Sequence, residues 1–275
     1  MNHSPFSFPL INRRRFLISS SAVAGSMLLP VFPSDARAAT APVKNTDTSW
    51  YRQPLRILQT VLRETDALGY DADAVVEYMQ KAHCNTLVVN AGGIVDFFQN
   101  PLPAANLNRF MGEGDLLKEI TTACQAAGIR VICRIDFRGV EEPIYRQFPD
   151  WFSVDAEGRP VQLDYTRPRL YASCYKGFHR NEHAERFIRH LLENYAIDGI
   201  WHNSIGVSGI CYCKPCQESY RAAGGGELPV QGTASGEELD AYMAWKSLVA
   251  DQYMERMKKA VKAFGDDKVY TAEVF

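Results

Sequence analysis

The sequence predicts an α/β fold of the (β/α)8 TIM-barrel type, incomplete at about five strand–helix units, on three observations. Short aliphatic and β-branched runs alternate with amphipathic helical stretches across residues 55–275, the pattern of parallel strands covered by helices. The first predicted strand leads into LRETDALGY, which lacks the glycine-rich fingerprint of a doubly wound dinucleotide fold. Polar residues collect at the C-terminal ends of the predicted strands, where barrel enzymes carry their working groups.

The elements follow in order. LRILQTVL (55–62) reads as the first strand. DADAVVEYMQKAHC (71–84) places Ala74, Val75, Tyr78, Met79 and Ala82 at helical spacing, with Asp71 or Asp73 as the cap. NTLVVN (85–90) is a second buried strand, and GDLLKEITTACQAAG (114–128) is an amphipathic helix closed by Gly128. IRVICRIDF (129–137) is the third strand, followed by an excursion over 138–180 rich in Pro, Gly, Trp and Tyr. NEHAERFIRHLLENYA (181–196) predicts a helix and IDGIWHN (197–203) the fourth strand. Residues 237–265 predict a long helix, split or bent, and DKVYTAEVF (267–275) a fifth strand. A complete barrel needs eight strands in about 250 residues, so the chain is expected to be truncated relative to one.

The first 38 residues read as an address. A basic opening leads into a modestly apolar run of small residues that ends small-x-small at Ala36-Arg37-Ala38. Arg13-Arg14-Arg15-Phe16-Leu17 resembles the twin-arginine export pattern; an ordinary secretory signal or a basic membrane anchor is the alternative. Cleavage after Ala38 would leave a leader over 39–54 and the barrel region over 55–275, with a mature protein that is periplasmic or extracellular and holds no membrane anchor. With a formal net charge of −2 over 275 residues, nothing suggests the basic surface that nucleic acid requires. Assembly into a homo-oligomer stays open.

Cys211, Cys213 and Cys216 are spaced C-x-C-x-x-C in a chain with seven cysteines. Zinc favours four thiolates in a tetrahedron, and this spacing lets one turn present several sulfurs to one ion. A disulfide and a redox pair are the alternatives. Twin-arginine export moves folded proteins, so thiolates could be metallated in the cytoplasm before reaching an oxidising compartment. Lys214 would offset thiolate charge. Cys84, Cys124 and Cys133 fall on apolar faces and read as small buried residues.

Glycosidic cleavage needs two carboxylates. Asp136 ends the third strand and Glu273 the fifth, while Glu64 and Asp66 follow the first. The bland alternative for each is a partner for Arg63, Arg134 or Arg138. His202 is a candidate acid/base, and Asn203, Asn90, Arg134, Glu64 and Trp201 are candidates to bind substrate. Asn90-Ala91-Gly92-Gly93 allows close backbone approach. Trp151, Phe152, Tyr165, Tyr171, Tyr175 and Trp201 are candidate sugar-stacking rings, more of them core than platform.

The stretches LQTVLRETDALGYDADAVVEYMQKAHCNTLVVNAGGIVDFF, GDLLKEITTACQAAGIRVICRIDF, FPDWFSVDAEGRP and YAIDGIWHN together resemble the N-terminal barrel region of the hypothetical glycosyl hydrolase 6 family. The resemblance runs from about Leu55 to Tyr220 and implies carbohydrate hydrolysis. The cysteine cluster is similar to that of family 42 β-galactosidases. That likeness implies a structural zinc held by Cys211, Cys213 and Cys216, with Cys174 as the upstream ligand. In that family an Asn-Glu pair ends the fourth strand and supplies the general acid/base; here the pair reads Asn203-Ser204. The expectation is an exported glycoside hydrolase acting on a carbohydrate substrate, with structural zinc and no organic cofactor. A non-catalytic carbohydrate-binding barrel and a thiol or metal protein acting at Cys211–Cys216 are the alternatives.

Overall fold

The computed structural model describes residues 48–274 apart from 167, 207, 208 and 231. The export signal expected over residues 1–38 lies outside the described residues.

The elements run β1 (Ile57–Thr60), α1 (Ala72–Lys81), β2 (Thr86–Gly92), α2 (Leu116–Ala126), β3 (Arg130–Asp136), β4 (Gly139–Val140), α3 (Glu142–Gln147), β5 (Gln162–Leu163), β6 (Leu170–Ala172), α4 (Ala184–Asn194), β7 (Gly199–Ile205), α5 (Lys214–Ala222), α6 (Gly236–Lys262) and β8 (Val269–Val274). The five strands expected from the sequence form one parallel sheet in the order β1-β2-β3-β7-β8. Spatial order follows chain order without a reversal, so the sheet has no switch point of the doubly wound kind. The short strands β4, β6 and β5 form a separate antiparallel sheet inside the 138–180 excursion. Their two- and three-residue lengths leave no readable periodicity, so they carry no signature in the sequence.

Period-two alternation sorts each long strand into two sets. Leu87, Val89 and Ala91, Val131, Cys133 and Ile135, and Ile200 belong to the main core with the helices. Val88, Ile132, Trp201 and Val269 pack together on the other face with Trp50 and Tyr51. Against the first set, α2 brings Leu117 and Ile120, and α4 brings Phe187, Ile188 and Leu191, all with no exposed surface. Burying side chains of this kind contributes about 1.5–3 kcal/mol each. Asp71 caps α1 by accepting from the Ala74 N–H at 2.9 Å, and Asp115 caps α2 by accepting from Lys118 N–H at 2.8 Å. Gly128 takes φ +69° just after α2, a conformation that costs glycine little.

One expectation is corrected. The long helix is a single 27-residue element, α6; it contains no proline, and Ser235 and Glu238 form a capping box at its start. The described end of the leader packs on the sheet. A helical turn at Trp50–Arg52 lays Trp50 over Val88 and Ile132 at the N-terminal end of the sheet. The Trp50 indole N–H donates to the Asp267 carbonyl at 2.9 Å, and the Arg130 guanidinium stands 5.4 Å from its ring. Removing this ring opens a cavity against the strand starts, so Trp50→Ala is expected to lose about 3–5 kcal/mol in urea unfolding. A loss below about 0.5 kcal/mol would show that the segment is not part of the fold.

Candidate functional site at the C-terminal ends of the strands

The strand register brings polar residues into rows on the face opposite the helices. Asn90 is opposite Arg134, Arg134 opposite Trp201, and Asp136 opposite Asn203. Asp136 sits at the centre of the last row, almost buried. Arg138 Nε lies 3.0 and 2.9 Å from its two carboxylate oxygens, and one terminal guanidinium nitrogen lies 2.5 Å from Oδ2. The Arg138 backbone N–H adds a fourth contact at 3.1 Å, and Asn203 Nδ2 donates from β7 at 2.7 Å. Every one of these partners donates, so the carboxylate is oriented as an acceptor. Behind it, Gly93 (φ +105°) presses its backbone onto Asp136; a Cβ there would come within 2.4 Å of the Asp136 carbonyl oxygen. This contact is the physical reason for glycine at 93, whereas a Cβ on Gly92, the last residue of β2, would meet Asp96 Oδ1 at 2.2 Å and the Phe187 ring at 2.9 Å.

Asp136 opens onto a cleft of about 400 Å³ whose wall also contains Glu64, Asn90, Arg134, Arg138 and Glu141. Of the predicted site residues, Glu64, Asn90, Arg134 and Asp136 thus line one cleft. Asn90 is partly committed, since its side-chain amide pairs with both the N–H and the carbonyl of Leu62 at 3.4 and 3.3 Å. Burial lowers the pKa of the Arg134 guanidinium, opposed by the charges of Asp136 and Glu273; Glu273 therefore stands near this cleft without lining it. The paired-arginine alternative holds for Asp136 and Arg138.

Neither His202 nor Trp201 lines this cleft. Alternation turns His202 toward the helices, fully buried, with Nε2 3.0 Å from the Tyr253 hydroxyl of α6 and Nδ1 3.4 Å from the Tyr270 hydroxyl of β8. Burial, then the charge of Arg180, pulls its pKa down to about 3. The imidazole is therefore neutral and reaches neither cavity described here, which corrects its assignment as an acid/base. Trp201 packs on Val88 and Ile132, and its buried indole N–H has no partner among the described residues. Of the stacking candidates, Trp151 lies on Phe148 with centroids 4.0 Å apart, Tyr171 lies on Tyr145 at 4.0 Å, and Phe152 is core. Only Tyr165 and Tyr175 face a second, larger cavity.

That cavity, of about 670 Å³, lies between the small sheet and the first half of α6 and shares Arg138 with the cleft. One wall is the cysteine cluster. The sulfurs of Cys174, Cys211, Cys213 and Cys216 all lie within 4.8 Å of one another. Cys174 Sγ is 3.3 Å from Cys216 and 3.5 Å from Cys213, and none of the four is bridged. The thiols share protons unequally. Hydrogen bonds with Cys174 pull Cys211 and Cys213 down, and those same contacts push Cys174 and Cys216 up. Cys174 follows β6, Cys213 caps α5 and Cys216 is in its first turn, so the cluster ties the small sheet to the loop after β7. Lys214 does not offset thiolate charge: it is exposed and 3.7 Å from Glu218. Lys246 of α6 takes that place, its ammonium held by the Gly209 carbonyl and felt electrostatically by Cys211, Cys216 and Cys174. Sequence distance hid this partner, 30 residues beyond the last cysteine.

The family described as hypothetical glycosyl hydrolase 6 matches residues 71–204. No curated protein matches. Among solved structures, an α-L-fucosidase isoenzyme 2 from Paenibacillus thiaminolyticus is similar at 19% identity and TM-score 0.62, over 80% of this chain and 32% of that one. A β-galactosidase from Bacillus circulans sp. alkalophilus is similar at 13% identity and TM-score 0.56, over 80% and 36%. A β-galactosidase from Rahnella sp. R3 follows at 16% identity and TM-score 0.54, over 85% and 35%. At these identities the likeness is one of fold. The chain spans about a third of the length of each of these structures.

The buried histidines give a prediction for pH. Burial holds His179 well below the ordinary imidazole range, His183 down to about 4 and His202 down to about 3. Below about pH 6.5 the unfolded chain binds protons that the folded chain refuses, so stability falls as pH falls, by about 1.4 kcal/mol per histidine per pH unit. Asp96 opposes this. It is pushed up to about 6 by burial, and as a carboxyl it gains protons in the folded state first, between about pH 6 and 4. The histidines outnumber it, so Tm should drop steadily between pH 7 and 5. A Tm that holds or rises over that range would contradict the burial of neutral imidazoles.

Proposed function

We propose that this chain forms the wall of a (β/α)8-type glycoside hydrolase that works on carbohydrate from the C-terminal ends of β1, β2, β3, β7 and β8. The observation that carries the reading is the Asp136 carboxylate, fixed by Arg138 and Asn203 at the lip of a cleft that also holds Glu64. Supporting it are the family match over residues 71–204, the fold shared with glycosidases and the unreversed parallel strand order.

In this reading Asp136 acts as the accepting carboxylate, base or nucleophile, because its neighbours hold it by donation. Glycosidic cleavage needs a second carboxyl to protonate the leaving oxygen. Glu64, in the same cleft, and Glu273, near Arg134, are the two groups placed to supply it. Asn90, Arg134 and Asn203 orient sugar hydroxyls. His202 acts at a distance, holding α6 and β8 together through two tyrosines.

The four thiolates are proposed to hold a structural zinc ion. The donor set fits: four sulfurs converge, no disulfide ties them up, and tetrahedral bonds of about 2.3 Å would set the sulfurs about 3.8 Å apart, close to their present spacing. A fully thiolate-bound ion leaves no position for substrate, so it would brace the wall of the larger cavity and take no part in bond cleavage. A twin-arginine signal over residues 1–38 would carry the folded, metallated protein to the periplasm or beyond.

Two experiments test this. Aryl glycosides should be hydrolysed by the full chain, and Asp136→Asn should cut the rate by at least about 100-fold while sugar binding persists. Binding across a broad sugar panel with no turnover would favour the non-catalytic barrel, and Glu64→Gln against Glu273→Gln would rank the second carboxyl. Elemental analysis of cytoplasmically expressed protein should find about one zinc per chain, lost in Cys213→Ser. A zinc-free protein with Cys213 in a disulfide would overturn the brace.

A further inference from the structure

The two cavities differ in charge. The smaller cleft balances Arg63, Arg134 and Arg138 against Glu64, Asp136 and Glu141. The larger is lined by Arg138, Lys176, Arg180 and Lys246, and, among the described residues, by no aspartate or glutamate. Arg138 is neutralised by Asp136, and Lys246 stands against the thiols of the cysteine cluster. Arg180 has no such counter-charge among the described residues. It is only 4% exposed, yet its guanidinium meets only neutral groups: the Phe137 carbonyl at 2.9 Å, the Ser204 carbonyl at 3.3 Å and the Tyr175 ring at 4.1 Å. Among the described residues no carboxylate forms an ion pair with it. A buried charge without a counter-charge is strongly disfavoured unless something compensates it, and carbonyl dipoles and one ring compensate only in part. Ser204 itself holds φ +58°, an uncommon conformation for a residue with a side chain, and in it its carbonyl accepts from Arg180. Lys176, half-buried on the same cavity, forms no ion pair among the described residues. Tyr165, largely exposed, and the edge of Tyr175 supply flat apolar surface beside these cations.

We infer that the larger cavity receives the anionic group of an acidic saccharide, a carboxylate or a sulfate ester, with Arg180 and Lys176 as its charged ligands and Tyr165 as the ring under the sugar. A planar guanidinium donates to either anion in a fork, and an ammonium adds a point charge. Burial in a walled cavity strengthens both contacts over their value in water. The saccharide part of this inference rests on the glycoside hydrolase reading; the anion site does not. Because Arg138 lines both cavities, an acidic unit held here would lie next to the unit presented to Asp136, giving selection for a charged sugar beside the cleaved bond.

The test is direct binding, which needs no turnover. Full-length protein is titrated by calorimetry with glucuronate, galacturonate, a galactose sulfate, and the neutral sugars glucose and galactose. The acidic ligands should bind at least about tenfold more tightly than the neutral ones, with affinity falling as salt rises. The ratio of uronate to sulfate affinity decides which anion the site was built for. Lys176→Gln, at a half-exposed position that the fold does not depend on, should weaken the acidic ligands about tenfold and leave the neutral ones unchanged. Arg180→Gln should weaken them further in protein that still melts cooperatively. Equal binding of acidic and neutral sugars, or acidic binding untouched by Lys176→Gln, overturns the inference. If acidic sugars bind as expected and no glycoside is cleaved, the anion site stands and the hydrolase reading falls.

Discussion

The clamp on Asp136 is the contact on which the rest of this end of the molecule depends. Arg138 must follow Asp136 by two residues to reach both oxygens, which turns the chain directly into β4 and starts the small sheet. Asn203 must lie in register on β7, which fixes the β3–β7 pairing at its last row. Gly93 must be a glycine for the loop after β2 to press on the same residue. Three neighbouring strands therefore converge on one carboxylate, and a shift of any of them by one residue would turn its side chains to the opposite face.

The small sheet then sets up the second feature. β6 leads into Cys174, which places one sulfur against the three that follow β7. The four thiols join the excursion after β3 to the loop after β7 and, through the Tyr242 hydroxyl and Lys246, to α6. The end of β7 at Ser204 and the loop that starts at Gly206 are thereby held from two sides, with the Tyr175 hydroxyl donating to the Gly206 carbonyl at 2.8 Å. The cluster bounds the larger cavity and is not itself a reaction centre in this account. Both cavities consequently share one partition, the side chain of Arg138.

Much of this was legible in the sequence because it rests on period and local chemistry. Near-continuous apolar runs announced β2, β3 and β7, and helical spacing announced α1, α2 and α4. The polar strand ends drew attention to Asp136, Asn90 and Arg134, which do share one cleft. What was missed depends on which face a strand end presents. His202 and Asn203 are adjacent in sequence, and only the register shows that one meets α6 and the other meets Asp136. Lys246 and Arg180 were missed for a different reason: each acts across a distance in sequence that no motif records, and buried cations leave no spacing signature. The aromatic residues of the excursion looked alike in composition, yet stacking within a satellite core took Trp151, Phe152 and Tyr171 out of the cavity.

The central claim is that carbohydrate is bound and cleaved at the Asp136 clamp. A crystal structure of Asp136→Asn soaked with a saccharide that the unaltered protein hydrolyses tests it most directly. The account predicts the scissile linkage within hydrogen-bonding reach of residue 136, with the sugar seated between the Glu64 cleft and the Arg138 partition. A saccharide bound elsewhere on the molecule, with the Asp136 cleft filled only by solvent, would contradict it.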